Sequence, residues 1–470
     1  TLQRGRDRLG DVIAPVELAH VYGLALDYPR AVDLYLEALS RDPSLRPAIQ
    51  ARLTRMIDGQ GAPEAFATAF SRAAALDPLN RGVRELQAWL ALEQEEYDVA
   101  LDAVRALDRL ENEQGESLVT FAAQAVAAGA DEAAAQALDE VLTRHSDGPM
   151  APDARLARAR LNDARATEAR ERTGLGPTPF ADAARDDYLA FLDLYAAHRS
   201  RSATLLALAT LLRDVYRDFD ASEARLTEAA EGFDVGVANR ARLVLGDVAL
   251  GRGDLETARE RFSDVDATIR IGPLAEQARY ELALIDFYQG FMYSALARAE
   301  ALDENTAAEA TNDAIALRVT LNDALDPTVL PGPDVDLTQD PLHIYGRAAL
   351  RYRRGLFAEA LATLDSLDAT LSPGHALADE SLYLRATVLL NRGEATNAIA
   401  TLDRLLAEQP LSFFLDRALR LQAQTFERDL RDPASAAERY DRLLERFPGS
   451  PLAPEAREAL RRLRSHLGAS

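Results

Sequence analysis

The chain has 470 residues, 48% of them hydrophobic, and no apolar run approaches the roughly 18 residues that a membrane-spanning helix requires. It carries 76 acidic and 53 basic residues, a formal net charge of −23 that repels phosphate backbones, so nucleic acid is not an expected partner. Every basic residue is arginine and cysteine is absent, which excludes catalytic lysines, thiol nucleophiles, disulfides and thiolate metal sites.

The N-terminal part of the chain repeats one helical pattern. A small residue in the second of two short amphipathic helices recurs at intervals of 34 or 35 residues, and proline follows the second helix where a helix must end. The first unit carries Leu18, Ala19, Tyr22, Ala31, Tyr35, Ala38 and Pro43, and the recurring position is then taken by Phe66, Ala100 and Ala134. At Phe66 the adjacent Ala65 is expected to supply the small side chain.

The same unit returns further along, in the segment LGDVALGRGDLETARERF. Gly246 and Ala258 face each other across a glycine-rich break, and Phe262 follows them. Small side chains at these two points allow two helices to pack closely, while the aromatic ring fills the space beside them. The recurring small position continues at Ala295, Ala360, Ala398 and Ala436, and the segment between residues 134 and 258 keeps a helical but irregular pattern.

This spacing of Leu, Gly or Ala, Ala and an aromatic resembles the tetratricopeptide repeat, a pair of antiparallel helices with a period of about 34 residues. Strand-like alternation is almost absent, so the expected fold is all-α. The resemblance implies a right-handed superhelical solenoid of roughly ten to twelve hairpins. Residues 454–467 form an additional, Arg-rich helix that is expected to cap the stack.

Two segments rich in turn-forming residues interrupt the pattern. RTGLGPTPF, residues 172–180, is interpreted as an inserted loop, because it lacks the GxGxxG spacing and a preceding strand. DPTVLPGPDVDLTQDP, residues 326–341, contains too many prolines and aspartates for a helix and is expected to be a linker or a protruding loop. We therefore predict an N-terminal solenoid over residues 1–325 and a C-terminal one over residues 342–470.

No catalytic or metal-binding motif emerges from the sequence. The six histidines are too far apart for a shared helical face, HExxH and GxSxG are missing, and the many carboxylates have no recognisable partner base. We expect neither an enzyme nor a cofactor. The predicted function is that of a noncatalytic scaffold that binds protein partners; the alternative is a structural subunit that contacts its neighbours through its flanks or ends.

In the family that this chain resembles, ligands lie in the concave groove at positions 2, 5, 9, 12 and 13 of the first helices. Aromatic residues gather at these positions in one zone, and Tyr and Arg are favoured at interface centres. The candidate groove residues are Tyr280, Phe287, Tyr288, Tyr345, Tyr352, Arg353 and Tyr383. The alternative is that some of these aromatics pack as ordinary core. The module that clamps the acidic C-terminus of heat-shock chaperones is not expected, because it needs lysine.

The C-terminal part, residues 431–463, more closely resembles bacterial cell-envelope repeat proteins, among them outer-membrane-assembly lipoproteins and the periplasmic cell-division coordinator. That resemblance implies a periplasmic or outer-membrane-associated location within a multiprotein complex, with the cytoplasm as the alternative. The chain begins at Thr1, so a signal peptide or a lipid-modified cysteine upstream would lie outside this sequence.

Overall fold

The computed structural model describes residues 15–111, 114–173, 176–303, 309–325, 340–372 and 374–468. These residues form helices joined by turns, and no strand occurs among them, which confirms the all-α fold class. The chain divides into two compact units, Thr1–Asn162 (unit 1) and Asp163–Ser470 (unit 2). None of the described helices has the length and apolar character that a bilayer crossing requires.

Unit 1 is a series of short antiparallel helices. Its members are α1 (15–24), α2 (Tyr28–Arg41), α3 (Arg46–Thr54), α4 (Ala62–Leu76), α5 (Arg81–Glu93), α6 (Tyr97–Glu111), α7 (Glu116–Ala127) and α8 (Asp131–Arg144). The boundary between the units falls within α9 (Ala151–Thr173). Helices α5 and α6 form one hairpin and α7 and α8 form the next, while α4 packs on α2 and α5.

Unit 2 continues the series and is larger. It contains α10 (Pro179–Leu194), α11 (Arg201–Leu211) with a π-helical turn (Leu212–Tyr216), α12 (Phe219–Ala230), α13 (Val235–Arg252), α14 (Leu255–Ile269), α15 (Pro273–Gln289), α16 (Met292–Asp303), α17 (Glu309–Ala324), α18 (Pro341–Arg353), α19 (Phe357–Thr370), α20 (Ala378–Asn391), α21 (Ala395–Glu408), α22 (Leu415–Arg428), α23 (Pro433–Arg446) and α24 (Ala453–Gly468). Successive hairpins stack, and α18 packs against α15 as well as α19.

Local sequence determines where these helices begin and end. Asp234 and Asp254 cap α13 and α14, each accepting a hydrogen bond from the backbone N–H three residues on, at 3.1 and 3.0 Å. Proline occupies the first turn of α10, α15, α18 and α23, where its missing N–H costs nothing. Gly253 and Gly290 end α13 and α15 in the left-handed conformation (φ 89° for both).

The predicted small positions lie where the helices pack most closely. All nine residues at the recurring position have no exposed surface: Ala31, Phe66, Ala100, Ala134, Ala258, Ala295, Ala360, Ala398 and Ala436. The ring of Phe262 lies against Gly246, so that a Cβ built on this glycine would stand 2.5 Å from the ring. At Phe66 the aromatic side chain itself is buried, edge-on to Tyr28 at 6.3 Å, while Ala65 is only partly buried.

The last helix, α24, covers the end of the stack with one face. Ala456, Leu460 and Leu463 are buried against the preceding hairpin, while Arg461 and Arg464 are exposed. This arrangement agrees with the predicted capping helix.

The two predicted interruptions fall between helices. Helix α9 ends at Thr173 and α10 begins at Pro179, so the helices extend into both ends of the predicted loop. Residues 326–339 of the predicted linker lie outside the described residues. The division into solenoids at this linker stays a prediction, and α15 and α18 on its two sides are packed together.

Candidate protein-binding grooves

The predicted aromatic zone lies on α15, α18 and α20 of unit 2. Phe287 and Tyr288 are only 2% and 6% exposed and belong to the core that α13 to α18 share. A side chain buried to this extent cannot touch a partner unless the helices separate. For these two residues the structure agrees with the alternative stated above, packing as ordinary core.

The other four aromatics, Tyr280, Tyr345, Tyr352 and Tyr383, are partly buried. Three of them lie at joints between helices: Tyr345 contacts Phe287 at a centroid distance of 6.1 Å, Tyr352 contacts Phe357 at 6.0 Å, and Tyr383 stacks on Phe414 at 4.9 Å. Burial raises the pKa of all four hydroxyls, which are therefore neutral. Much of each ring is used for packing, and its remaining surface is open to solvent.

Arg353 is engaged within unit 2. Its guanidinium binds the Glu281 carboxylate, which is 5% exposed, and donates to Asp247 at 3.1 Å. Asp247 in turn accepts from Arg213 at 2.9 Å. Burial and the neighbouring Glu281 carboxylate raise the pKa of Asp247 to about 6, against the opposing effect of the two arginines. Side chains of α11, α13, α15 and α18 thus already occupy this part of the predicted zone.

A second groove lies in unit 1, between α3, α5, α6 and α7. Its volume is about 640 Å³, within the range of sites that bind small ligands or peptide side chains. Its apolar wall consists of Trp89, Leu92, Val104, Leu107 and Phe121. We call it the Trp89 groove, after the only tryptophan of the chain.

Charged and polar side chains form the rim of the Trp89 groove. Glu85 accepts from the Nε atoms of Arg46, at 2.7 Å, and Arg81, at 2.8 Å. The indole N–H of Trp89 donates to Glu93 at 3.1 Å and holds the ring in place, with part of its surface open to solvent. An amphipathic wall with a fixed aromatic ring and paired charges is a composition typical of protein-binding surfaces.

The Trp89 groove was not predicted from the sequence, although the repeat register that predicted the aromatic zone of unit 2 includes its residues. Counting back from Ala100 places Glu85, Trp89 and Leu92 at positions 5, 9 and 12 of their unit. A single tryptophan in one unit does not form a cluster of aromatics across neighbouring units. The criterion of clustering therefore selected unit 2.

Among the described residues, no group of three or more His, Asp or Glu side chains lies close enough together to hold a metal ion. The pKa values of the Asp247 and Glu380 carboxyls are raised mainly by their burial among the helices of unit 2.

The tetratricopeptide repeat family model matches residues 380–412 and 417–450, which correspond to the hairpins α20–α21 and α22–α23. Similarity to this family is thus found in these two hairpins. The second match covers positions 1 to 34 of the register that places Ala436 at position 20. The search of curated proteins found no significant match.

Several solved structures are similar to this chain at low sequence identity. A tetratricopeptide repeat protein from Parabacteroides merdae is 12% identical, with a TM-score of 0.36 over 67% of this chain and 99% of that one. The structure of Naa15/Naa10 bound to HypK-THB is 13% identical, with a TM-score of 0.37, and the match covers 96% of this chain and 66% of that one. The TPR2AB-domain:pHSP90 complex of yeast Sti1 is 14% identical, with a TM-score of 0.24, and the match covers 57% of this chain and 100% of that one. TM-scores this low carry no information about a binding site.

Proposed function

We propose that this protein is a noncatalytic scaffold that holds a segment of a partner protein in the Trp89 groove. The observation that carries the proposal is the coincidence of three features at one place. These are a groove of about 640 Å³, the first-helix positions 5, 9 and 12 in its wall, and a fixed, partly exposed tryptophan. Tryptophan is the residue most enriched at energetic centres of protein interfaces.

The charged residues at the rim of the Trp89 groove favour a partner segment that binds in one orientation. Glu85 pairs with both Arg46 and Arg81, and Glu116 also lines the groove, so two glutamates balance two arginines at the rim. A partner segment that places an apolar side chain on Trp89 and polar groups against this rim buries little unpaired charge. Removing the indole is expected to cost at least about 2 kcal/mol of binding free energy, or roughly thirtyfold in affinity.

The experiment is affinity purification from native cells with wild-type protein, Trp89→Ala and the double variant Tyr345→Ala, Tyr352→Ala. Partners quantified by mass spectrometry are expected to be lost with Trp89→Ala and retained with the tyrosine variant, while far-ultraviolet circular dichroism stays unchanged for both. Loss of partners with the tyrosine variant and their retention with Trp89→Ala would show that the partner binds at the aromatic zone of α18 instead. Retention of every partner by both variants would eliminate the groove proposal.

A second function, as a structural subunit, is favoured by exposed apolar residues in the turns between hairpins. Phe233 is fully exposed (105%), and Ile271 and Leu411 are 87% and 97% exposed. In a stack of antiparallel hairpins, turns of this kind lie along one edge, where apolar side chains mark a contact with another molecule. Light scattering tests this function: self-association that Phe233→Ser, Ile271→Ser and Leu411→Ser together abolish would support it, and a monomer would count against it.

We also propose that the protein works in the bacterial cell envelope, as part of a multiprotein complex. The support is the sequence pattern of residues 431–463, where a hairpin ends in Phe-Pro and an Ala-rich helix follows. Fractionation of native cells tests the location, since recovery of the protein in the cytoplasmic fraction alone would contradict it.

A further inference from the structure

A pocket in unit 2, separate from the Trp89 groove, lies where the first turns of α22 and α24 approach α17. It has a volume of about 510 Å³. Its walls are Ile315 of α17, Phe413 and Leu415 at the start of α22, and Phe447 and Leu452 before α24. We call it the Phe413 pocket. Phe413 is 50% exposed, which leaves one aromatic face available to a second molecule.

Two arginines stack on aromatic residues of the Phe413 pocket: Arg417 lines the pocket, and Arg446 lies beside it on Phe447. The guanidinium of Arg417 is 5.4 Å from the centroid of Phe413, and that of Arg446 is 5.4 Å from the centroid of Phe447. Neither arginine forms an ion pair with a carboxylate in the part of the chain that the structure describes. Arg446 donates a hydrogen bond to the backbone carbonyl of Pro410, at 3.4 Å. Stacking holds both cations in position while leaving N–H donors available.

Asp416 is the acidic side chain that lines the pocket, and its carboxylate is already occupied. It accepts from the Ser450 hydroxyl at 2.6 Å and from the backbone N–H of Arg417 at 2.7 Å. The first turn of α22 has no side-chain cap, so the positive end of its helix dipole also faces this region. The two donors to Asp416 are neutral, so Asp416 keeps its negative charge, and two arginines against one carboxylate leave a net positive charge around the pocket, in a chain whose formal net charge is −23.

We infer that the Phe413 pocket binds a short segment of a partner protein in which carboxylates flank a large apolar side chain. The apolar side chain would lie between Phe413 and Phe447, and the carboxylates would pair with Arg417 and Arg446. A free phosphate lacks the apolar group that would fill the walls, and the phosphates of a nucleic acid would be repelled by the formal net charge of −23. This inference goes beyond the proposed function, because it adds a second site with its own ligand chemistry.

The test uses fluorescence anisotropy with the full chain and three labelled peptides, EDLFDLE, its neutral counterpart QNLFNLQ and its counterpart without apolar residues EDSSDSE. We expect EDLFDLE to bind with a Kd on the order of 10–100 μM. The other two peptides are expected to bind at least about tenfold more weakly. Affinity for EDLFDLE is expected to fall as salt rises, because the paired charges are exposed.

Two pairs of substitutions distinguish binding in the Phe413 pocket from nonspecific electrostatic attraction. Arg417→Gln with Arg446→Gln is expected to weaken EDLFDLE about tenfold and to leave QNLFNLQ unchanged. The matched control, Arg442→Gln with Arg457→Gln, removes the same charge from exposed positions of α23 and α24 outside the pocket. Trp89→Ala is expected to have no effect on this binding, so the two proposed sites fail independently. Absence of EDLFDLE binding at 1 mM, or equal losses in the pocket and control variants, would overturn the inference.

Discussion

The guanidinium of Arg354, just after α18, donates a hydrogen bond of 2.9 Å to the backbone carbonyl of Arg252, the last residue of α13. The two residues are 102 positions apart. Carbonyls at a helix C-terminus lack an intrahelical donor, and the helix dipole favours a cation there. Arg217, just after the π-helical turn, donates in the same way to the carbonyl of Arg354. Arginines thus link the C-terminal ends of three first helices of unit 2.

Replacing Arg354 by glutamine is expected to lower the free energy of unfolding of unit 2 by about 1 kcal/mol, because the carbonyls at the end of α13 lose their cationic donor. Urea unfolding followed by circular dichroism measures the change. Arg347→Gln, within α18, is the matched control and is expected to be nearly neutral. Equal effects of the two substitutions would show that the contact adds no stability.

Arg353→Met is expected to cost more, about 2 kcal/mol, because it leaves the Glu281 carboxylate buried without its cation. The figure is below that for a fully buried pair, since the Arg353 side chain is 27% exposed. Adding Asp247→Asn removes one of the remaining acidic groups and is expected to recover part of the loss. Urea unfolding of the single and double variants checks this, and an unchanged midpoint for Arg353→Met would contradict it.

Gly246→Ala is expected to destabilise the α13–α14 hairpin by about 1–3 kcal/mol, because the new methyl group would stand 2.5 Å from the Phe262 ring. Gly236→Ala, in the exposed first turn of the same helix, is the control and is expected to be close to neutral. Thermal unfolding gives the comparison. Adding Phe262→Leu to Gly246→Ala is expected to restore stability in part, whereas an additive further loss would contradict the contact.

The stability of unit 2 is expected to depend on pH through Glu380. Burial, followed by the neighbouring Asp379, raises the pKa of this 4% exposed carboxyl to about 9. A carboxyl whose folded-state pKa is raised favours the folded state less as pH increases, so stability is lost between the ordinary pKa near 4.5 and pH 9. Asp247, with a pKa of about 6, adds a smaller loss below neutrality.

Glu380→Gln removes this titration. The variant is expected to match wild type at pH 5 and to exceed it increasingly towards pH 9, with a thermal midpoint several degrees higher. Thermal unfolding at pH 5, 7 and 9 measures the difference. A midpoint difference that does not change with pH would show that Glu380 is charged in the folded protein.

The sequence predicted the packing of hairpins well because that packing depends on local spacing. Gly246 and Phe262 contact each other within one hairpin, and the fully buried positions from Ala31 to Ala436 follow from the same period. The surface was harder to predict. Whether a first-helix aromatic such as Phe287 faces solvent depends on how the next hairpin is rotated, which involves Tyr345 and residues more than fifty positions away.

The ion pairs of Arg353 are another feature that local spacing does not predict. Its position in the register predicts a groove residue, but its partners Glu281 and Asp247 are 72 and 106 residues earlier. Only the stacking of several hairpins brings these three side chains together. Trp89, by contrast, is predictable as a groove residue from its position 9 in the register, which requires no long-range information.

The link between Arg354 and α13 alters the order in which unit 2 is expected to open. A stack held only by contacts between neighbours loses amide protection progressively from its ends. Here α13 cannot separate from α18 while Arg354 holds its carbonyls, and α15 lies between them. Backbone amides of α13, α14, α15 and α18 are therefore expected to exchange with solvent deuterium as one cooperative block, more slowly than those of α22 to α24.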